Sequence, residues 1–366
     1  MRALSRTAVI FAVFVVLGAV AFLASAPHPR VAAWTHRGAA PNGAPRTLAS
    51  SLSASTPAPG TLPDPLNPGH PMLVDVIARP EPGDWVAARP AFQYSRTAAE
   101  RGGVEPCATQ APDSSAFDAW APLNRGRFIA PRENALDATG HFDLVIHLNG
   151  DEPVRRELIA SQQRFVLYSL TVADQGYAHL VTGTHLVESV VRGLEQALTK
   201  RDGKLALVGH IALSAWSAGF VGVEAALAAP SSQSVDAVLL IDGLHAPRND
   251  ATAFKAQLQP FVDYAQRAAK GERFFFVSHS SIDPPDFAST TESAHYLVAS
   301  LGGRPQAVRR NDAFGLELVE TFDRGDFHVR GYAGNDKADH CAQLALLRDA
   351  FGALGRRWAS PAAPPH

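Results

Sequence analysis

The sequence predicts an α/β fold: a mostly parallel central sheet with helices on both faces. Two observations carry that prediction. Apolar runs of strand length recur through the chain after about residue 116, with segments of helical periodicity between them. The runs are apolar along their whole length rather than alternating, as strands covered on both faces must be.

In chain order the runs are FDLVIHLNG (142–150), RFVLYSLTV (164–172), HIALSAWS (210–217), VDAVLLIDG (235–243), RFFFVSHS (273–280) and DFHVRGYAG (326–334). Between the second and third, Leu186, Val187, Val190, Val191, Leu194 and Leu198 recur at helical spacing over 184–199. Between the fourth and fifth, residues 251–270 place Phe254, Leu258, Phe261 and Val262 on a helix that Pro260 bends; this is a connecting helix or a cap beside a cleft. No internal repeat is present.

The segment before residue 116 has a different texture. Arg2 and Arg6 precede an uncharged apolar run over 8–26, the layout of an export signal. Ala24-Ser25-Ala26 resembles a cleavage site but is followed by Pro27, and Val31-Ala32-Ala33 offers a second. Uncut, the run approaches the roughly 20 residues that span a bilayer, with the arginines on the cytoplasmic side. The expected organisation is a signal peptide or membrane anchor (1–26), a Pro/Ala/Ser-rich linker (27–70), an N-terminal extension (71–115) and a folded domain (116–360). The placement that follows is export, to the cell envelope or beyond it.

Composition excludes several classes. With 46% hydrophobic residues, 19% charged residues and a formal net charge of -2, the chain offers no basic field for nucleic acid. Two cysteines, Cys107 and Cys341, make no disulfide framework; they form one bridge or remain two unrelated thiols. No compact zinc spacing and no nucleotide-binding glycine pattern occurs.

In parallel sheets reactive groups collect at the carboxyl ends of the strands. There the sequence places His147, Asn149 and Gly150, then Ser217, then Asp242 with His245, then His279 with Asp283 and Asp286, and finally His340. Ser217 stands in Ala215-Trp216-Ser217-Ala218-Gly219, between a strand and a helix whose face continues small through Gly222. A serine on so tight a turn needs small residues two before and two after it, to avoid the neighbouring strands.

On these residues the chain resembles the α/β-hydrolase superfamily across roughly 116–360, with alanine in place of the first glycine of the G-x-S-x-G elbow. The resemblance implies a serine hydrolase that cleaves a carboxylic ester or related acyl bond, small or lipid-like, without a cofactor or metal. It implies Ser217 as nucleophile, His340 as base, and an oxyanion hole from the Ala218 N–H and an N–H of Gly150 or Asp151. The acid is Asp242 or, one strand later, Asp283 or Asp286. Asp242 is favoured because a carboxylate ending so apolar a strand needs a partner. Two other readings stand beside this one: a metal-dependent hydrolase using the histidines and aspartates of the sheet edge, and a catalytically silent binding domain of the envelope.

Overall fold

Strands buried on both faces organise the chain. The computed structural model describes residues 114–172, 176–334 and 336–359, with only the backbone described at 182–184. The described chain enters through β1 (Ala121–Leu123) and β2 (Gly126–Ile129), then β3 (His141–Leu148), α1 (Asp151–Ser161), β4 (Val166–Leu170), α2 (Gly176–Thr184) and α3 (Leu186–Asp202). Next come β5 (Leu207–Trp216), α4 (Phe220–Leu227), β6 (Ala237–Ile241), β7 (Ala246–Pro247), α5 (Ala251–Ala269), β8 (Phe274–His279) and β9 (Phe287–Ala288). It closes through α6 (Thr290–Ser300), β10 (Gln306–Asn311), β11 (Glu317–Arg324), β12 (Phe327–Tyr332), α7 (Lys337–Ala342) and α8 (Leu346–Ala359).

Ten strands form one sheet in the order β1-β2-β4-β3-β5-β6-β8-β12-β11-β10, and β7 pairs with β9 apart from it. The six central strands, β4 through β12, are parallel; the pairs at either edge are antiparallel. All six sequence-predicted strands lie in the parallel core. The edge strands were not anticipated, because β10 (QAVRRN) is largely exposed and β1 is short, so neither shows an apolar run.

Alternate residues of each central strand feed two separate cores. Leu144, Ile146, Leu213, Val238, Leu240, Phe275 and Val277 face helices α2 to α6. Val145, Ala212, Leu239, Ile241, Phe274 and Phe276 face α1 and α8. Glu157 of α1, buried, ties those last two helices together through Arg348 at 2.9 Å. The helix expected over 184–199 is α3, and 251–270 is α5, the connection between β6 and β8, with Pro260 inside it.

β3 is followed in sequence by β4 on one side and has β5 on the other. The chain therefore reverses its winding at β3, and the loops leaving β3 and β5 diverge over the two faces. Such a switch point opens a crevice beyond the carboxyl ends of the strands.

The apolar run over 8–26, the linker and Cys107 lie outside the described residues. Among the described residues no helix is long and apolar enough to cross a membrane.

Core packing predicts a sharp contrast between two leucines. Leu240 is fully buried in β6, so Leu240→Ala should lower the unfolding free energy by about 2–5 kcal/mol. Leu205 is 67% exposed, and Leu205→Ala should change it by no more than about 0.5 kcal/mol. Urea unfolding followed by circular dichroism measures both.

Candidate active site

Ser217 begins a short 3-10 turn, Ser217–Gly219, between β5 and α4. Its φ is 53°, in the left-handed region that costs a non-glycine residue about 1–3 kcal/mol. The turn lies hard against β3: a Cβ on Gly219 would come within 2.1 Å of the Leu148 carbonyl oxygen. Ala215, two residues before the serine, is buried. The small residues around Ser217 thus answer a backbone constraint: the serine stands on a strained strand-to-helix turn at the carboxyl end of a parallel strand.

The neighbouring strand β6 ends in Asp242, itself left-handed at φ 43° and 1% exposed. Three donors converge on its carboxylate. His340 Nδ1 lies 2.6 Å from Oδ2, while the Ser280 N–H at 2.8 Å and the Thr290 hydroxyl at 2.7 Å both donate to Oδ1. Burial alone would push this carboxyl upward. The facing His340 and the bonds from His340, Thr290 and Ser280 outweigh it and hold the group at about 2.

His340 sits on α7, which Asp336 caps by accepting from the Asp339 N–H. Its ring stacks on Trp216 with centroids 4.8 Å apart, and the Trp216 indole N–H donates to the His340 carbonyl. With Nδ1 turned to the carboxylate, Nε2 is the ring nitrogen outside that contact. Trp216 immediately precedes Ser217, so the stack places the imidazole beside the elbow.

The loop after β3 closes the other side. Asn149, at φ 77°, donates from Nδ2 to the Trp216 carbonyl at 3.1 Å. Gly150 follows at φ 111°, a conformation glycine adopts without strain, and a Cβ there would lie 3.6 Å from the Trp216 ring. The Gly150 N–H donates to Thr171 Oγ1. Asp151 opens α1, its carboxylate accepting from Ser169, from Thr171 and from Arg127 Nε at 2.8 Å.

The remaining sequence candidates divide clearly. His147 is fully buried, donating from Nε2 to the Asn149 carbonyl and accepting from Ser214 at Nδ1; desolvation pushes it down to about 4, so it is a neutral orienting group. Asp283 is half exposed and ion-paired with Arg248, and Asp286 is exposed. His245 donates from Nδ1 to the Ala288 carbonyl and packs edge-on against Phe220 and Phe287, where burial lowers its pKa. Among the described residues the sheet-edge histidines and aspartates named from the sequence do not form a metal-binding group; the one group with that spacing is His279, His295 and Glu320.

Thr290 and Ser280 escaped sequence reasoning as partners of Asp242. A signal was present: Ser289-Thr290-Thr291-Glu292 is a capping box, with Ser289 and Glu292 exchanging hydrogen bonds at the start of α6. It marks the helix start that delivers Thr290.

Neither a protein-family model nor a curated protein matches the sequence. Among solved structures, the chain is similar to an IroE-like serine hydrolase from Shewanella oneidensis (TM-score 0.41, 11% identity, 63% of this chain and 76% of that one). It is also similar to the ferric enterobactin esterase of Salmonella typhimurium (0.37, 12%, 68% and 62%) and to an uncharacterised protein from Capnocytophaga ochracea (0.39, 10%, 64% and 64%). The chain spans less than two thirds of the length of these last two proteins.

Two pH windows follow from the buried groups. Asp242, held at about 2 against about 3.9 when unfolded, contributes stability that is present above about pH 4 and lost as pH falls through 2. His147, held at about 4 against about 6.5, contributes stability present above about pH 6.5 and lost as pH falls towards 4. In urea unfolding across the acid range, the gap between wild type and His147→Gln should narrow in the upper window. The gap to Asp242→Asn should narrow in the lower one. Parallel curves through either window would remove that assignment.

Proposed function

We propose that the protein is a serine hydrolase cleaving a carboxylic ester or related acyl bond through Ser217, His340 and Asp242. The observation that carries the reading is the His340–Asp242 contact at 2.6 Å, with the same imidazole stacked against the residue preceding a strained serine.

A serine hydroxyl attacks a carbonyl only if its proton leaves as the bond forms. His340 Nε2 takes it, and the buried Asp242 carboxylate keeps the remaining proton on Nδ1 and offsets the imidazolium charge. The tetrahedral oxygen needs donors in place beforehand. The Ala218 N–H, one residue past the nucleophile, is the first donor. The Gly150 N–H is engaged by Thr171, which favours Asp151, in the first turn of α1, as the second. His340 then protonates the leaving alcohol, and water enters by the same route in reverse to release the acid.

The substrate class in this reading is a small-molecule or lipid-like ester. The basic and apolar N-terminal pattern supports action outside the cytoplasm, on a secreted or membrane-tethered chain. No nucleic acid enters this reading.

A fluorophosphonate probe on the full chain should label Ser217, and Ser217→Ala should lose both the label and ester turnover with unchanged circular dichroism. Asp242→Asn should lower turnover on the order of 10⁴-fold, whereas Asp283→Asn should leave it near wild type. Undiminished turnover in Ser217→Ala would overturn the mechanism.

A further inference from the structure

His279, His295 and Glu320 come from three elements and meet behind Asp242. His279 ends β8, Glu320 lies on β11, and His295 reaches down from α6. Gly331 of β12 stands between the first two, in register with His279 on one side and with Glu320 on the other. A Cβ on Gly331 would come within 2.6 Å of His279 Nε2 and 2.5 Å of Glu320 Cγ. The missing side chain lets the two groups meet over the top of an intervening strand. His279 is 1% exposed and His295 7%.

Hydrogen bonding fixes the chemistry of this meeting. Thr291 gives its single hydroxyl proton to the Ser280 carbonyl at 2.7 Å, so at 2.9 Å it can only accept from His279 Nδ1. The proton of a neutral His279 is thereby assigned to Nδ1, and its bare Nε2 lone pair faces Glu320. The Nε2 atom lies 2.8 Å from Glu320 Oε1. His295 Nε2 lies 2.5 Å from the same oxygen. Two imidazole nitrogens converge on one carboxylate oxygen, and the three ligand atoms lie within 4.8 Å of one another, the spacing of a ligand set around one cation.

We propose that His279, His295 and Glu320 form a Zn²⁺ site, separate from the hydrolytic centre. Two imidazole nitrogens and a carboxylate are a zinc donor set, and a water completes the tetrahedron. The hydrogen bond from His279 Nδ1 to Thr291 is the outer contact that orients a ligating histidine. Loading lengthens the two contacts to Glu320 from 2.5 and 2.8 Å towards roughly 3.3 Å, the edge of a tetrahedron with bonds of about 2.0 Å. The ion does not act on substrate. It clamps β8, β11 and α6 together where the neighbouring residues Ser280 and Thr290 hold Asp242.

The test is zinc uptake by the untagged full chain after chelator stripping, read as metal content and by competition with a fluorescent chelator. The expected result is one high-affinity zinc per chain and a rise in melting temperature with zinc. Affinity should fall roughly tenfold or more in Thr291→Val, and further in Glu320→Gln and His295→Gln. Co²⁺ in the same site should give the intense visible bands of four-coordinate geometry. Ser217→Ala should bind zinc as wild type does, so failure of the hydrolase reading leaves this result standing. Folded wild type that takes up no zinc, or Glu320→Gln that binds it undiminished, overturns the proposal.

Discussion

A carboxylate with almost no access to water sets the terms for this site. Asp242 ends one of the most apolar strands of the sheet, and an unpaired charge there would be prohibitively expensive. The structure supplies three donors from three directions: a backbone N–H after β8, a hydroxyl from the first turn of α6, and an imidazole from α7. Each donor fixes the element that carries it. The position of His340 is therefore a consequence of the need to neutralise Asp242, and the proposed chemistry draws on the same contact.

The sheet brings the remaining parts together. Because the winding reverses at β3, the loops leaving β3 and β5 part company and leave their strand ends uncovered. Ser217 and Asn149-Gly150 stand at those ends. Asn149 binds the Trp216 carbonyl across the gap, and Gly219 lies against the Leu148 carbonyl, so the elbow and the loop lock each other. The strain at Ser217 persists because the surrounding backbone leaves no relaxed alternative. A softer support would let the serine fall back to an ordinary helix start.

How much of this the sequence reveals depends on whether a residue's signal is local. The six parallel strands are legible because both of their faces are covered, which writes an apolar run into each. Ser217 is legible because the tight turn writes small residues at 215, 218 and 219. The choice between Asp242 and Asp283 is open in the sequence, since it turns on which loop His340 meets in space. The edge strands carry no run because one side faces water. Thr290, Ser280 and Glu320 are invisible for a related reason: each matters through a partner at least twelve residues away, and nothing in its own neighbourhood changes when that partner is present. Glu320 in particular sits in ELVETFDR, an ordinary half-exposed strand pattern.

The start of α6 joins the two clusters through consecutive residues. Thr290 bonds Asp242, and Thr291 bonds both His279 and the carbonyl of Ser280, whose own N–H bonds Asp242. This helix start is buried, closed by its capping box, and braced by Arg248, which reaches both Glu292 and Asp283. His279 and Asp242 are thereby held by consecutive residues of one helix start. Asp242 keeps its His340 contact only while that turn holds its place. The antiparallel edge, which seems peripheral to a parallel sheet, thus gains a role through β11. By carrying Glu320 over Gly331 to His279, it brings the third member of the proposed zinc set to the far side of the turn on which the buried carboxylate depends.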